Sequence, residues 1–284
     1  MRKVQLLPNV ITAFGLTCGL FVIFKMNMTP PGEANYYALL QATAILLLAA
    51  FADLLDGAVA RVMKAESEFG FLFDSLADAI SFGVAPSVVV LKSLSTAPGT
   101  IHSFLITTAC MIFTLCGVLR LVRFNVTSAQ NRGDEEQVAA SKKNFTGLPI
   151  PAAAAAALAG NLFLVSDELN ALYPVSEKMH TWFLFWQMVI LGYFMISRWK
   201  FPSLKTLHIR IGSFQAVFLI VVCAVFAFYG LLNHFALAFF IISWAYLFVA
   251  WILSIIRLIS GRKSRTLEDF EPEPDDLDSD STHY

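Results

Sequence analysis

The chain has 284 residues, of which 57% are hydrophobic and only 14% are charged, and its mean hydropathy is +0.66. Because soluble domains carry about 25% charged residues, this composition excludes an ordinary soluble fold and indicates a polytopic membrane protein. The formal net charge of −1 conceals an asymmetry, since eight of the 21 acidic residues lie between Glu268 and Asp280.

Eight apolar runs approach or reach the length of about 20 residues that a helix needs to cross a bilayer. They predict an all-α fold, a polytopic bundle of about eight transmembrane helices. The predicted helices are 8–24, 37–62, 70–92, 102–122, 150–166, 181–198, 213–231 and 235–257. Six consecutive alanines, 152–157, predict that the fifth helix lies deep in the bundle, because small residues let membrane helices approach closely. Pro86 predicts a kink in the third helix.

The lysines and arginines predict how this bundle sits in the membrane. If the N-terminus lies in the cytoplasm, only Lys25, Lys92 and Lys178 fall on the outer side, and the other 17 of the 20 basic residues fall on the cytoplasmic side. This agrees with the positive-inside rule, so both termini are expected in the cytoplasm. The connector 63–69 is short, and the second and third helices are therefore expected to be antiparallel neighbours.

Four aspartates, Asp53, Asp56, Asp74 and Asp78, interrupt the second and third helices. A charged carboxylate in hydrocarbon costs several kcal/mol unless it is paired, bound to a metal or facing water. Arg61 is the one basic residue close by, and a single cation cannot neutralise four carboxylates. The sequence therefore predicts one or two divalent metal ions and an enzyme that acts on a phosphorylated substrate at the membrane.

Helical spacing places these aspartates on two faces that can point toward a common space. The faces consist of Asp53, Asp56, Gly57, Ala60 and, at the edge, Arg61 on the second helix, and of Gly70, Asp74, Asp78 and Ser81 on the third. Two carboxylates from each helix suit two divalent cations that clamp the oxygens of a phosphoryl displacement. Gly57 and Ala60 leave room for a nucleotide, and Arg61 can neutralise a diphosphate oxygen.

The pattern D-x2-D-G-x2-A-R-x8-G-x3-D-x3-D, from Asp53 to Asp78, resembles the signature of the CDP-alcohol phosphatidyltransferase family at all eight fixed positions. The resemblance implies a core of six transmembrane helices, a homodimer, and dependence on Mg²⁺ or Mn²⁺. It also implies transfer of a phosphatidyl group from a CDP-linked lipid to an alcohol, with release of CMP. The two helices beyond the six-helix core are taken to be those in 213–257.

The same resemblance implies a role for each motif residue. Asp53, Asp56 and Asp74 would bind metal, and Asp78 would complete the metal site and act as the general base on the acceptor hydroxyl. Gly57, Ala60 and Arg61 would hold the CDP group. Residues 1–265 would then form the transmembrane catalytic domain, and the acidic stretch 266–284 is expected to be a disordered cytoplasmic tail.

Four segments around the motif resemble bacterial integral-membrane phosphatidylserine synthases: 6–19, 74–87, 120–125 and 145–154. This implies CDP-diacylglycerol and L-serine as substrates, at a site that faces the cytosol from a bacterial inner membrane. The basic residues near the motif do not decide which alcohol is the acceptor. Arg120 and Arg123, or Lys142 or Lys143, could bind a serine carboxylate, but the same cations suit an acceptor that carries a phosphate. Glycerol 3-phosphate, inositol or its phosphate, and choline are the alternatives.

Several residues near the motif have two interpretations. Asn9 and Thr12 are candidates for the CDP-lipid site or are capping and packing groups, and Ser81 shapes the acceptor pocket or packs helices together.

The aspartates themselves could instead mark the ion pathway of a cation-coupled transporter, but no inverted repeat is visible in the sequence. A prenyltransferase would show DDxxD clusters, which do not match this spacing. No nucleic-acid partner is expected.

Overall fold

The computed structural model describes residues 6–30, 33–63, 67–97, 99–130, 144–173, 175–197, 200–202, 230 and 233–260. This part of the chain is almost entirely helical. Its helices are α1 (Leu6–Met28), α2 (Tyr36–Val62), α3 (Glu68–Ser93), α4 (Ile101–Gln130), α5 (Ile150–Leu164), α6 (Asp167–Leu172), α7 (Glu177–Ile196) and α8 (Phe235–Ser260). Two three-residue strands, β1 (Asn144–Thr146) and β2 (Lys200–Pro202), pair antiparallel.

The all-α fold class is confirmed, and the chain is an integral membrane protein. Within the described residues, six helices are long and apolar enough to cross a membrane, namely α1, α2, α3, α4, α7 and α8. The predicted fifth helix is present as α5, but its 15 residues make it shorter than a full span. Of the predicted helix 213–231 only residue 230 is described, and the predicted tail 266–284 lies outside the described residues. The count of eight and the cytoplasmic termini stay predictions.

Polar residues set the ends of several helices. The side chains of Asn35, Ser67 and Ser176 accept hydrogen bonds from backbone N–H groups in the first turns of α2, α3 and α7, which satisfies donors that a helix start leaves free. The fourth helix continues to Gln130, beyond the predicted end at residue 122. Helical hydrogen bonding therefore extends past the apolar run on which the prediction rested.

The position of α5 confirms that the alanine run lies deep in the bundle. Ala153, Ala154, Ala156 and Ala157 are each 2% exposed or less, and α5 contacts α2, α3, α7 and α8. Its carbonyl groups also receive a buried side chain: Gln187 Nε2 of α7 donates to Ala156 O at 2.7 Å and to Ala157 O at 3.1 Å. The small side chains thus let α7 come close enough for an amide to bond to the backbone of α5.

The first helix packs against α2 and along the full length of α3. Towards one end of this contact, Val22 and Met26 of α1 are buried together with Leu39, Leu46 and Val89. The fourth helix pairs mainly with α7, where Phe113, Leu184, Met188 and Leu191 are fully buried. The other end of the α1–α2–α3 group holds the aspartates.

The third helix contains an interruption that the sequence did not predict. Its α-helical stretches Glu68–Asp78 and Ala85–Ser93 are joined by a π-helical turn, Ala79–Val84, in which the Ala85 N–H bonds to the Ile80 carbonyl. We call this segment the wide turn. Ala85 and then Pro86 follow it, so the irregularity expected at the proline lies just before the proline. Because Pro86 has no N–H, a regular α-helix would lack a hydrogen bond to the Phe82 carbonyl in any case.

We predict that Gly160→Leu lowers the stability of the bundle. A Cβ at this position would stand 2.5 Å from the Gln187 amide atoms, so a leucine would displace this buried amide from the carbonyls of α5. Leaving buried polar groups unpaired costs about 1–3 kcal/mol. The measurement is the unfolding temperature of the purified protein in detergent. Thr107→Leu, at an exposed position on α4, is the control and should melt like the wild type. Equal melting of both variants would contradict this packing.

Candidate active site

A pocket lies between α1, α2 and α3, and it contains all four aspartates of the motif. Its lining residues are Thr12, Gly15, Leu16, Ala49, Asp53, Asp56, Asp74, Ala77, Asp78, Ser81 and Phe82. The second and third helices are therefore neighbours at this point, as the short connector predicts. The first helix supplies the third wall, which helical spacing within the motif could not reveal.

Three of the carboxylates form a tight group. Each of Asp53, Asp56 and Asp74 offers an oxygen, and these oxygens all lie within 4.8 Å of one another. Asp56 is buried, with 4% of its surface exposed, and the other two are partly buried. Asp78 lies one helical turn beyond Asp74 and lines the same pocket, but it is not a member of this group of three.

Residues of α1 hold the motif in place. Thr12 Oγ1 lies 2.5 Å from Asp56 Oδ2 and 3.1 Å from the Pro8 carbonyl oxygen. A hydroxyl has one proton, and a carboxylate is the stronger acceptor, so Thr12 donates to Asp56. Asn9 lies over the start of α3, where a Cβ on Gly70 would stand 3.0 Å from Asn9 Oδ1. This contact explains why the motif has a glycine at that position.

Two glycines of α1, Gly15 and Gly19, belong to the surroundings of this site, although they were not named as site residues from the sequence. Ser81 Oγ donates to the Gly15 carbonyl oxygen at 3.3 Å, and a Cβ on Gly19 would stand 2.8 Å from Ser81 Cα. The spacing Gly15-x3-Gly19 is the small-xxx-small pattern of close helix contacts, so this signal was available in the sequence. Ser81 is accordingly buried between α1 and α3 while it lines the pocket.

The predicted nucleotide-binding residues of α2 lie at its exposed end. A Cβ built on Gly57 would meet no atom within 4 Å, so the space beside this glycine is open. Ala60 is partly buried and Arg61 is exposed. The arrangement leaves a surface beside the aspartates that a flat group can approach, with a cation at its edge.

The two arginines of α4 have different surroundings. Arg120 is partly buried and interacts electrostatically with Asp78, and its buried Nε has no hydrogen-bond partner among the described residues. Arg123 instead bonds to the end of α7, where Nη1 donates to Ile196 O at 2.9 Å and Nη2 to Ser197 O at 3.5 Å. Lys142 and Lys143 lie outside the described residues.

The group of three carboxylates fits a divalent metal. Oxygen ligands from aspartate are those that Mg²⁺, Mn²⁺ and Ca²⁺ prefer. Among the residues that the structure describes, no lysine or arginine forms an ion pair with any of the four aspartates. Carboxylates this close repel one another, and they can all stay ionised only if a cation joins them. The donor set and its unbalanced charge therefore both match a metal site.

Comparison with known proteins agrees with this geometry. The sequence profile of the CDP-alcohol phosphatidyltransferase family matches residues 5–194, which confirms the resemblance carried by the motif. Proteins named CDP-diacylglycerol–serine O-phosphatidyltransferase are similar to the chain. That of Helicobacter pylori is 31% identical over 217 residues, 76% of this chain and 80% of the relative. That of Mycobacterium leprae is 34% identical over 228 residues, which are 79% of this chain and 67% of the relative.

A third relative of the same name, from Methanocaldococcus jannaschii, is 28% identical over 244 residues, covering 82% of this chain and 96% of the relative. The family match spans more than half of the chain and includes the aspartate pocket with its three helices. The chain therefore belongs to the CDP-alcohol phosphatidyltransferase family.

Proposed function

We propose that this protein transfers the phosphatidyl group of CDP-diacylglycerol to L-serine, forming phosphatidylserine and CMP. The observation that carries the proposal is the group of carboxylates within 4.8 Å of one another, on the helices that bear the family motif. The names of the relatives from Helicobacter, Mycobacterium and Methanocaldococcus support serine as the acceptor. The partly buried Arg120 beside Asp78 supports an acceptor with an anionic group.

In this proposal Asp53, Asp56, Asp74 and Asp78 hold Mg²⁺ or Mn²⁺, with two ions as the expected number. When bound, the metal would neutralise the pyrophosphate and stabilise the charge that develops on the transferring phosphoryl group. Thr12 orients the Asp56 carboxylate through its hydrogen bond. The metal site is thus prepared by a residue that lies 44 positions away from the carboxylate it holds.

The CDP group is proposed to lie beside α2. Gly57 and Ala60 present little side chain, the space beside Gly57 is open, and the exposed Arg61 can pair with a diphosphate oxygen. Asn9 and Thr12 border the same region from α1, at the start of α3 and at Asp56 respectively. This arrangement would leave the diacylglycerol chains on the lipid side of the bundle.

The proposed reaction is a single displacement. Asp78 accepts the proton of the serine hydroxyl, the serine oxygen forms a bond to the phosphatidyl phosphorus, and the bond from that phosphorus to the CMP oxygen breaks. CMP leaves with the electron pair of that bond. A covalent intermediate is disfavoured because the hydroxyls that line the pocket are engaged, Thr12 with Asp56 and Ser81 with the Gly15 carbonyl.

Arg120 is the arginine that the geometry favours for binding the acceptor. It interacts electrostatically with Asp78, and its buried Nε has no hydrogen-bond partner in the part of the chain that the structure describes. An unpaired buried donor is costly unless a ligand supplies the acceptor. Ser81 lies on the pocket wall and could contact the same substrate. Arg123 holds the end of α7 through two backbone carbonyls, and its predicted part in acceptor binding stays a prediction.

The cellular setting is also part of the proposal. We place the protein in a bacterial inner membrane with the pocket open to the cytosol, because the aspartates lie toward the end where most basic residues cluster. Residues 1–265 form the catalytic membrane domain, and 266–284 form an acidic tail. A homodimer is expected from the family. CDP-diacylglycerol, L-serine and the surrounding lipid are its partners.

We predict CMP release from CDP-diacylglycerol in the presence of serine and either Mg²⁺ or Mn²⁺, and none after chelation of divalent metal. The measurement uses purified protein in mixed micelles with radiolabelled CDP-diacylglycerol, and product lipids are identified by chromatography. Glycerol 3-phosphate, inositol, inositol phosphate and choline are supplied in parallel. Preference for one of these would replace serine as the acceptor, and CMP release that persists after chelation would refute the metal site.

We predict that Asp78→Asn lowers kcat by at least about 100-fold, because an amide cannot accept the serine proton and general base catalysis contributes about 10²–10⁴-fold. Binding of CDP-diacylglycerol and the unfolding temperature should change little. Asp167→Asn, an exposed carboxylate on α6, serves as the control with wild-type turnover. Wild-type kcat in Asp78→Asn would remove the base assignment.

We predict that Arg120→Gln raises KM for serine by about 10-fold or more, since a charge-assisted hydrogen bond contributes about 1.5–3 kcal/mol. KM for CDP-diacylglycerol should stay the same. The second acceptor is serinol, which has a hydroxymethyl group in place of the carboxylate, and Arg120→Gln should use it as well as the wild type does. Arg123→Gln is measured alongside. A serine-specific KM effect only in that variant would transfer the role to Arg123.

A further inference from the structure

The wide turn joins two stretches of α3 that have different surroundings, a polar pocket before the turn and an apolar cluster after it. Before it, Asp74 and Asp78 line the pocket. After it, Ala85 and Val89 are buried in the cluster that contains Val22 of α1. In an unbroken α-helix Asp78 and Ala85, seven residues apart, would lie on the same face. A π-turn accommodates one additional residue and rotates the helix after it by about 100°, so the wide turn sets the direction of Asp78 relative to the buried face that begins at Ala85.

Two hydroxyl groups hold the wide turn against α4. Ser87 Oγ and Thr114 Oγ1 each lie 3.1 Å from the Gly83 carbonyl oxygen, and they lie 3.0 Å from one another. Ser87 Oγ is also 3.3 Å from the Cys110 carbonyl oxygen. The Gly83 carbonyl belongs to the wide turn. Thr114 therefore joins the irregular part of α3 to the neighbouring helix by a side-chain bond to its backbone.

The bond between Thr114 and the Gly83 carbonyl joins the two helices that carry Arg120 and Asp78. Thr114 lies on the same helix as Arg120, six residues or about 9 Å before it along the axis. Asp78 directly precedes the wide turn, and Arg120 interacts with it electrostatically. The contact between Thr114 and Gly83 thus connects the helix that carries Arg120 to the segment that follows Asp78.

We propose that Thr114 and Ser87 are positioning residues for the transfer reaction, because their shared bonds to the Gly83 carbonyl maintain the wide turn and keep Asp78 directed into the pocket opposite Arg120. The inference rests on the proposed function. Neither residue lines the pocket, so removal of either hydroxyl alters the geometry of the catalytic groups and leaves the pocket's own side chains intact.

The test compares two valine substitutions on α4 in the full-length protein. Thr114→Val keeps the shape of the side chain and removes the hydroxyl that bonds to Gly83. Thr108→Val removes a hydroxyl that bonds only within its own helix, to the Phe104 carbonyl at 2.9 Å. For each variant we would measure kcat, KM for CDP-diacylglycerol and for serine, and the unfolding temperature in detergent.

Thr114→Val is expected to lower kcat by about 10- to 100-fold, the range that small misplacements of reacting groups produce, while KM for CDP-diacylglycerol and the unfolding temperature stay near those of the wild type. Thr114→Ser, which restores the hydroxyl, should recover most of kcat. Thr108→Val should behave as the wild type. An unchanged kcat in Thr114→Val, or a loss that Thr114→Ser does not recover, would overturn the inference.

Ser87→Ala provides a second measurement if Thr114→Val does not accumulate in membranes. It removes one of the two bonds to Gly83 and leaves Thr114 in place, so a reduced kcat with unchanged KM supports the inference, and a wild-type kcat overturns it. Failure of the proposed function would look different. In that case the wild-type protein itself would release no CMP with any of the alcohols supplied.

Discussion

The oxygens of Asp53, Asp56 and Asp74 lie within 4.8 Å of one another, in helices long and apolar enough to span a bilayer. Like charges at this distance repel strongly where water is scarce, and burial adds a desolvation cost to each. Among the described residues, no lysine or arginine pairs with them. The group of carboxylates therefore fits a divalent cation, the kind of ion that also neutralises a nucleotide pyrophosphate. The carboxylates lie close enough to share an ion only because α2 and α3 meet here and α1 packs against both.

Close helix contacts make this meeting possible. Hydrocarbon chains give apolar helices no hydrophobic reason to associate, so packing and hydrogen bonds between helices must hold the bundle together. Gly15 and Gly19 let α1 approach Ser81 of α3, and Gly160 lets Gln187 of α7 reach the backbone of α5. In both places a missing side chain permits a polar group to bond to a carbonyl. The contacts of Gly15 and Gly19 hold α1 against the helix that carries Asp74 and Asp78.

The two arginines of α4 illustrate how similar sequence positions acquire different roles. Arg120 and Arg123 are one turn apart and carry the same charge, so spacing alone assigned both to the acceptor. In the folded chain Arg123 reaches residues 73 and 74 positions away at the end of α7, where a cation suits the helix C-terminus. Arg120 interacts with Asp78, and its buried Nε has no partner among the residues that the structure describes. The surroundings of the two arginines therefore differ because of the packing of α4, which spacing in the sequence does not show.

The sequence by itself determined the helical class, the approximate positions of the helices that the structure describes, and the identity of the four aspartates, because apolar length and helical spacing are local properties of the chain. Only the tertiary structure decided that α1 is the third wall of the pocket, that α3 contains a wide turn, and that α5 is buried without being long enough to span. These features depend on contacts between residues such as Thr12 and Asp56, or Ser81 and Gly15, which lie 44 and 66 positions apart. The spacing Gly15-x3-Gly19 indicates a close helix contact without naming the partner helix, and the partners are decided only once the helices have packed together.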